Sequence, residues 1–191
     1  MKKFMAVGVS SILYVRATEL PLEVFNIKEL GGTKVAILNR KNSLSNGICD
    51  AIVNASQALK RGYLKKFELM FYSSGTKDVI EVYQFNFSVP SNKRSENVNQ
   101  STENEDQSVV EATRRLLKNL VRETQTNKVF PGKVDLDIRL FYTEDTPETY
   151  NPPGFVTMSP RSLSRKLVGA GSTVRIGNIK TNWHKVSAQM Q

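Results

Sequence analysis

The chain has 191 residues, 39% hydrophobic and 24% charged, enough for one domain with a sizeable core and outside the range of a small disulfide-stapled scaffold. Its 27 Lys plus Arg against 18 Asp plus Glu leave a net charge of +9, which suits an acidic partner: nucleic acid, an anionic membrane surface or an acidic protein segment. One cysteine, Cys49, and one histidine, His184, exclude an internal disulfide and leave little for a Cys/His zinc cluster or a Cys-His catalytic pair, so the chain is expected to be intracellular and to use no cofactor or metal.

Two lysines precede an apolar run from Phe4 to Val15, which mimics a secretory signal peptide. Ser10 and Ser11 interrupt that run, Tyr14-Val15-Arg16 ends it, and no small-x-small cleavage site follows; it also falls short of the about 20 apolar residues needed to span a bilayer. Met5, Val9, Ile12 and Leu13 recur at helical spacing and Val7 and Val15 widen the stripe, so a buried helix is expected over 2–17, stopped by Pro21. Asn42-Ser43 is an N-cap candidate for a second helix through Leu44, Ile48, Ala51, Ile52, Ala55 and Leu59, ending near Gly62. Residues 64–72 and 79–87 are rich in aromatic and β-branched side chains around a turn-forming 73–78, the pattern of an antiparallel hairpin.

Residues 91–107 hold one apolar side chain, Val98, too little burial to offset the entropy of ordering, and are expected to be a disordered loop. A third helix is predicted over 109–125 with Val109, Val110, Leu116, Leu117, Leu120 and Val121 on its apolar side. Val134, Leu136, Ile138 and Leu140 then alternate with Asp135, Asp137 and Arg139, a period-two strand with one core face and one wet face. Prolines and Gly154 punctuate the stretch from Thr146, before a late strand over 173–179.

The chemistry expected of enzymes is thin. Gly169-Ala170-Gly171 lacks the Lys-Ser/Thr of a phosphate loop and reads as a turn; Asp135 and Asp137 lack a third ligand and read as a solvated strand face; His184 beside Trp183 lacks a nucleophile elbow and reads as a packing residue. Lys60-Arg61, Lys65-Lys66 and Arg114-Arg115 would attract phosphates, yet no zinc finger, RNP signature or basic dimerisation helix accompanies them, leaving a basic nucleic-acid-binding protein as the alternative class.

Four segments in order resemble the HORMA domain, and within it the meiotic chromosome-axis branch. They are FMAVGVSSILYVRATELPLEVF at 4–25, GYLKK at 62–66 with EVYQFNF at 81–87, FYTEDTPETYNPPGF at 141–155, and VRIGNIKTNWHKV at 174–186. The third carries the Tyr-x-Pro-Pro-Gly-Phe signature and is the most specific; it favours this branch over the spindle-checkpoint and translesion-polymerase adaptors, which stay as alternatives within the family. The resemblance departs at both ends: Met1 falls inside the first helix, where the family has a short extension, and the chain stops at Gln191, where axis members continue into a tail, which implies a shortened form or reliance on partners for assembly.

The resemblance implies an α+β fold of three helices packed on a mainly antiparallel sheet, one domain with its core over 1–150 and a mobile C-terminal safety belt over 153–191. It implies a non-enzymatic adaptor on meiotic chromosomes in the nucleus, supporting synapsis and recombination. Its partners would be closure-motif peptides of axis proteins, other HORMA proteins and an AAA+ remodelling ATPase, with DNA contact indirect or non-specific and no membrane contact. The peptide-binding residues so implied are Val134, Leu136, Ile138, Leu140, Tyr142, Tyr150, Phe155, Val174, Ile176, Ile179, Trp183 and His184. Because six basic residues and no acid follow Glu148, the preferred peptide is expected to carry Asp or Glu flanks steered by Arg175 and Lys180.

Overall fold

The computed structural model describes residues 2–17, 19–30, 33–88, 103–127, 129–130, 132–157, 173–180 and 185–191, with backbone alone at 2, 30, 33 and 103–109. Its elements in chain order are α1 (Lys2–Arg16), β1 (Phe25–Leu30), β2 (Thr33–Leu38), α2 (Ser43–Lys60), β3 (Leu64–Ser73), β4 (Val79–Ser88), α3 (Glu103–Thr126), β5 (Val134–Tyr142), β6 (Val174–Lys180) and β7 (Lys185–Met190).

α1 is the element around which the rest packs. Met5, Val9, Ile12 and Leu13 are buried as their spacing requires, and the helix contacts α2, α3 and β2. Its buried Ser10 is satisfied locally: the hydroxyl donates to the Ala6 carbonyl and accepts the Leu38 amide at 3.0 Å, tying β2 to the helix. α2 begins where its cap residue placed it, the Asn42 side chain accepting the Leu44 amide at 2.9 Å. It ends in a Schellman arrangement, with Tyr63 N–H donating to the Ala58 carbonyl, Gly62 N–H to that of Leu59, and Gly62 at φ +76°.

The main sheet has five strands in the order β5-β3-β4-β7-β6, every neighbour antiparallel; β1 and β2 form a separate hairpin. One sheet face meets the helices through Phe67, Leu69, Phe71, Tyr83 and Phe85. Across part of the other face runs a polar ladder: Lys66 pairs with Glu68, Glu68 accepts from Gln84, and Gln84 accepts from Gln189, which knits β7 to the central hairpin. A buried cluster pins the end of α1: Arg16 Nη2 lies 2.6 Å from Glu81 Oε2, Tyr83 donates to the other Glu81 oxygen, and the guanidinium stacks 4.0 Å from the Phe130 ring centre. Burial, and next the Glu81 charge, hold the Tyr83 phenol well above its ordinary pKa.

Two expectations are corrected and one element is new. α3 starts at Glu103, so residues 103–107 of the predicted loop are helical, while 91–102 lie outside the described residues. A helix start needs no burial of its own when later turns of the same helix are packed, as Leu116, Leu117 and Leu120 are here. The α3 stripe also divides: Leu116, Leu117 and Leu120 enter the core, whereas Val110 is 55% exposed. The β1-β2 hairpin was not anticipated at all, because Asn26, Lys28 and Glu29 leave β1 with little apolar periodicity.

Candidate functional site

β5 is an edge strand. Its inner side pairs with β3 from Leu64↔Tyr142 to Ser73↔Val134, and among the described residues its outer side has no strand neighbour in the sheet. An outer edge of this kind offers a row of backbone donors and acceptors to another extended chain. Beside it lies a groove of about 1150 Å³, walled by α2 and by the segment 143–157. Leu136, Ile138, Leu140 and Tyr142 line it, with Leu44, Ile48, Ala51 and Asn54 of α2 opposite.

The proline-rich segment is ordered by consecutive tight turns, closed by Thr146 N–H to the Thr143 carbonyl (3.1 Å), Tyr150 to Pro147 (2.8 Å) and Phe155 to Pro152 (3.3 Å). Proline fits such turns because its φ is already set, and Gly154 supplies φ +81° in the last one. Tyr150 is the anchor. Its ring meets Tyr63 edge-on at 5.1 Å and Tyr142 at 5.4 Å, and the Arg61 guanidinium sits 5.5 Å from its centre. Each aromatic pair is worth about 0.5–1.5 kcal/mol beyond its buried area. Downstream, Asn54 of α2 donates to the Pro153 carbonyl at 2.9 Å, bridging the groove walls.

The charged side chains of β5 are ion-paired. Arg139 Nε reaches Asp137 Oδ2 at 3.2 Å, and Asp135 pairs with Lys77 at 2.8 Å, whose hydrogen bond holds the Asp135 carboxyl below its usual range. The two aspartates are thus ion-paired strand residues. The Tyr142 hydroxyl oxygen is different: it is buried with no hydrogen-bond partner among the described residues, and burial pushes the phenol up to about 12. An orphaned hydroxyl costs about 1–3 kcal/mol, which a ligand acceptor placed in the groove would relieve.

Of the sequence-predicted binding residues, Leu136, Ile138, Leu140, Tyr142, Tyr150 and Phe155 come together here. Val134 packs at the start of β5 against the core. Val174, Ile176 and Ile179 do not line the groove; they belong to β6 at the far edge of the sheet, where Ile176 and Ile179 are buried and Asn119 of α3 donates to the Ile176 carbonyl at 3.2 Å. Trp183 and His184 lie outside the described residues. Arg175 and Lys180 are on the same far strand, four strand spacings or about 19 Å from β5, beyond a physiological Debye length of about 8 Å. Steering of a groove ligand by these two charges is therefore not expected. The α2 wall was missed because Leu44 and Ile48 fit a core stripe, whereas Leu44 is 59% exposed at the groove rim.

The HORMA domain family profile matches residues 1–184. HORMA domain-containing protein 1 of Mus musculus is 27% identical over 194 residues, covering 96% of this chain and 49% of that protein; HORMA domain-containing protein 2 of Mus musculus is 26% identical over 202 residues, covering 100% and 65%. The chain spans about half the length of several curated relatives it matches. Among solved structures, C. elegans HTP-2 bound to HTP-3 closure motif 1 superposes with a TM-score of 0.84 at 22% identity, over 100% of this chain and 83% of that one. A chain of the mitotic checkpoint complex gives 0.78 at 17% identity, over 99% and 94%.

Proposed function

Since this chain belongs to the HORMA domain family, we propose that it is a non-enzymatic adaptor of the meiotic chromosome axis, capturing closure-motif peptides of partner axis proteins by strand addition to β5. The observation that carries this reading is the outer edge of β5, without a strand partner among the described residues and facing a groove, while the C-terminal hairpin β6-β7 is docked on β4 at the opposite side of the sheet. An extended peptide would continue the sheet beside β5, its backbone supplying affinity and alternate side chains meeting Leu136, Ile138, Leu140 and the α2 wall. The turns of 143–157, fixed by Tyr150 and Asn54, would hold the belt over the ligand, and release would require that segment and the hairpin to undock.

Solved neighbours bound to closure motifs support the reading of peptide capture. In this reading the protein works in the nucleus on meiotic chromosomes, in homologue pairing, synapsis and recombination. Other HORMA proteins and an AAA+ remodelling ATPase are its further partners, and DNA contact is indirect or non-specific. The test is fluorescence anisotropy with peptides tiled across chromosome-axis proteins, each bound peptide then being N-methylated at alternate residues. Strand addition predicts that one alternate set abolishes binding and the other leaves it nearly intact; equal tolerance of both sets would refute it.

A further inference from the structure

A second groove lies on the helical side, between α1, α3 and β2, with a volume of about 550 Å³. Its floor is apolar: Tyr14 and Val15 of α1, Val35 of β2, and Val110, Leu117 and Val121 of α3. Tyr14 is 45% exposed and Val110 55%, so two large apolar side chains of one groove are open to solvent. Tyr14 is held in place by an edge-on contact with Phe25 at 5.4 Å. The rim is basic. Among the described residues Lys3, Lys34, Arg114, Lys118 and Arg122 line the groove and no acidic residue does; Arg122 pairs with its neighbour Glu123 at 2.8 Å, and the other four have no ion-pair partner among the described residues.

We propose that this groove docks an acidic amphipathic helix of a partner protein. Arg114, Lys118 and Arg122 fall on successive turns of α3, a row about 12 Å long, which matches a ligand bearing carboxylates at repeated helical spacing rather than a single anion. The apolar floor takes the i, i+4, i+7 side chains of such a helix, the helix-in-groove mode of recognition. A nucleic-acid duplex would use the rim and leave the floor wet, since phosphates have no apolar face to bury there. A second copy of the chain is disfavoured because a two-fold contact would oppose like-charged rims on a protein already at +9. The groove is separate from the β5 edge, so this site stands or falls independently of peptide capture there.

The test is fluorescence anisotropy with a labelled synthetic peptide of about five helical turns, Leu on one stripe and Glu on both flanks. Binding should weaken at least about tenfold in the Arg114→Glu/Lys118→Glu double variant, fall with added salt, and vanish for the peptide with Lys in place of Glu. Val121→Glu should weaken it similarly, while Leu140→Arg in the β5 groove should leave it unchanged. Melting curves matching the unmodified chain keep these losses attributable to the site, since every substituted side chain on α3 is at least partly exposed. Failure of the peptide to bind, binding indifferent to the Arg114 and Lys118 reversal, displacement of the peptide by a DNA duplex at equal concentration, or self-association that the reversal abolishes would each overturn the proposal.

Discussion

Docking of β6 on α3 turns on one glycine. Gly177 sits at φ +156°, and a Cβ there would stand 2.9 Å from Leu116 Cδ1, on a side chain itself only 1% exposed. Gly177→Ala therefore adds an overpacking cost of about 1–3 kcal/mol and a backbone cost of about 1–3 kcal/mol. If half of each survives relaxation, β6 docking loses about 1–3 kcal/mol, and its undocked fraction rises about 5- to 150-fold. If peptide release requires the hairpin to undock, dissociation should accelerate by a comparable factor while association changes little. The assay is a chase of labelled peptide by unlabelled peptide, paired with amide exchange of 174–190. Leu116→Ala in the Gly177→Ala background should recover part of the loss, since it removes the clash and leaves the backbone cost. An unchanged dissociation rate together with unchanged exchange would refute the close approach of β6 to α3.

Ending the chain after Thr157 should abolish tight peptide capture, measured by anisotropy; it should also lower the melting temperature, because Ile179, Val186 and Ala188 belong to the same buried cluster as α1 and β3. Asn54→Ala removes the donor to Pro153 and should weaken capture by about 0.5–1.5 kcal/mol with little change in melting temperature. Arg16→Met should cost about 3–5 kcal/mol in denaturant unfolding by stranding Glu81, and adding Glu81→Leu should recover much of that loss. Tyr142 has a folded pKa raised from 10.0 to about 12, so the unfolded chain loses its proton first; the resulting stability is present below pH 10 and falls as pH rises through about 12. Tyr142→Phe should flatten the alkaline limb of a pH-melting curve in that window, and an identical limb would contradict the phenol's burial.

What the sequence made legible was what carries local periodicity or a cap. α1, α2, the β3-β4 hairpin and β5 appear within a residue or two of their expected limits, because Asn42, Gly62 and the 73–78 turn set boundaries through nearest neighbours. β1 and β2 escaped because their only deep burial is at Phe25, Ala36 and Leu38, and half the hairpin faces water. In the site, the groove-facing residues of β5 were visible as an alternating strand, and Tyr150 and Phe155 as part of a motif. Which edge of the sheet each strand would occupy was not visible, since that is decided by long-range pairing of β4 with β7. For the same reason Ile176 and Ile179, as apolar as the groove residues, were expected at the ligand and are found in the core beside α3.

The central claim, that a ligand strand joins the outer edge of β5, is tested most directly by residue-resolved amide exchange of Val134–Tyr142 with and without saturating closure peptide. Alternate amides of β5 already bond to β3 and should change little, whereas the intervening, outward-facing set should gain strong protection, giving a period of two along the strand. Saturating binding that leaves the outward-facing amides exchanging as in the free protein would contradict strand addition at this edge.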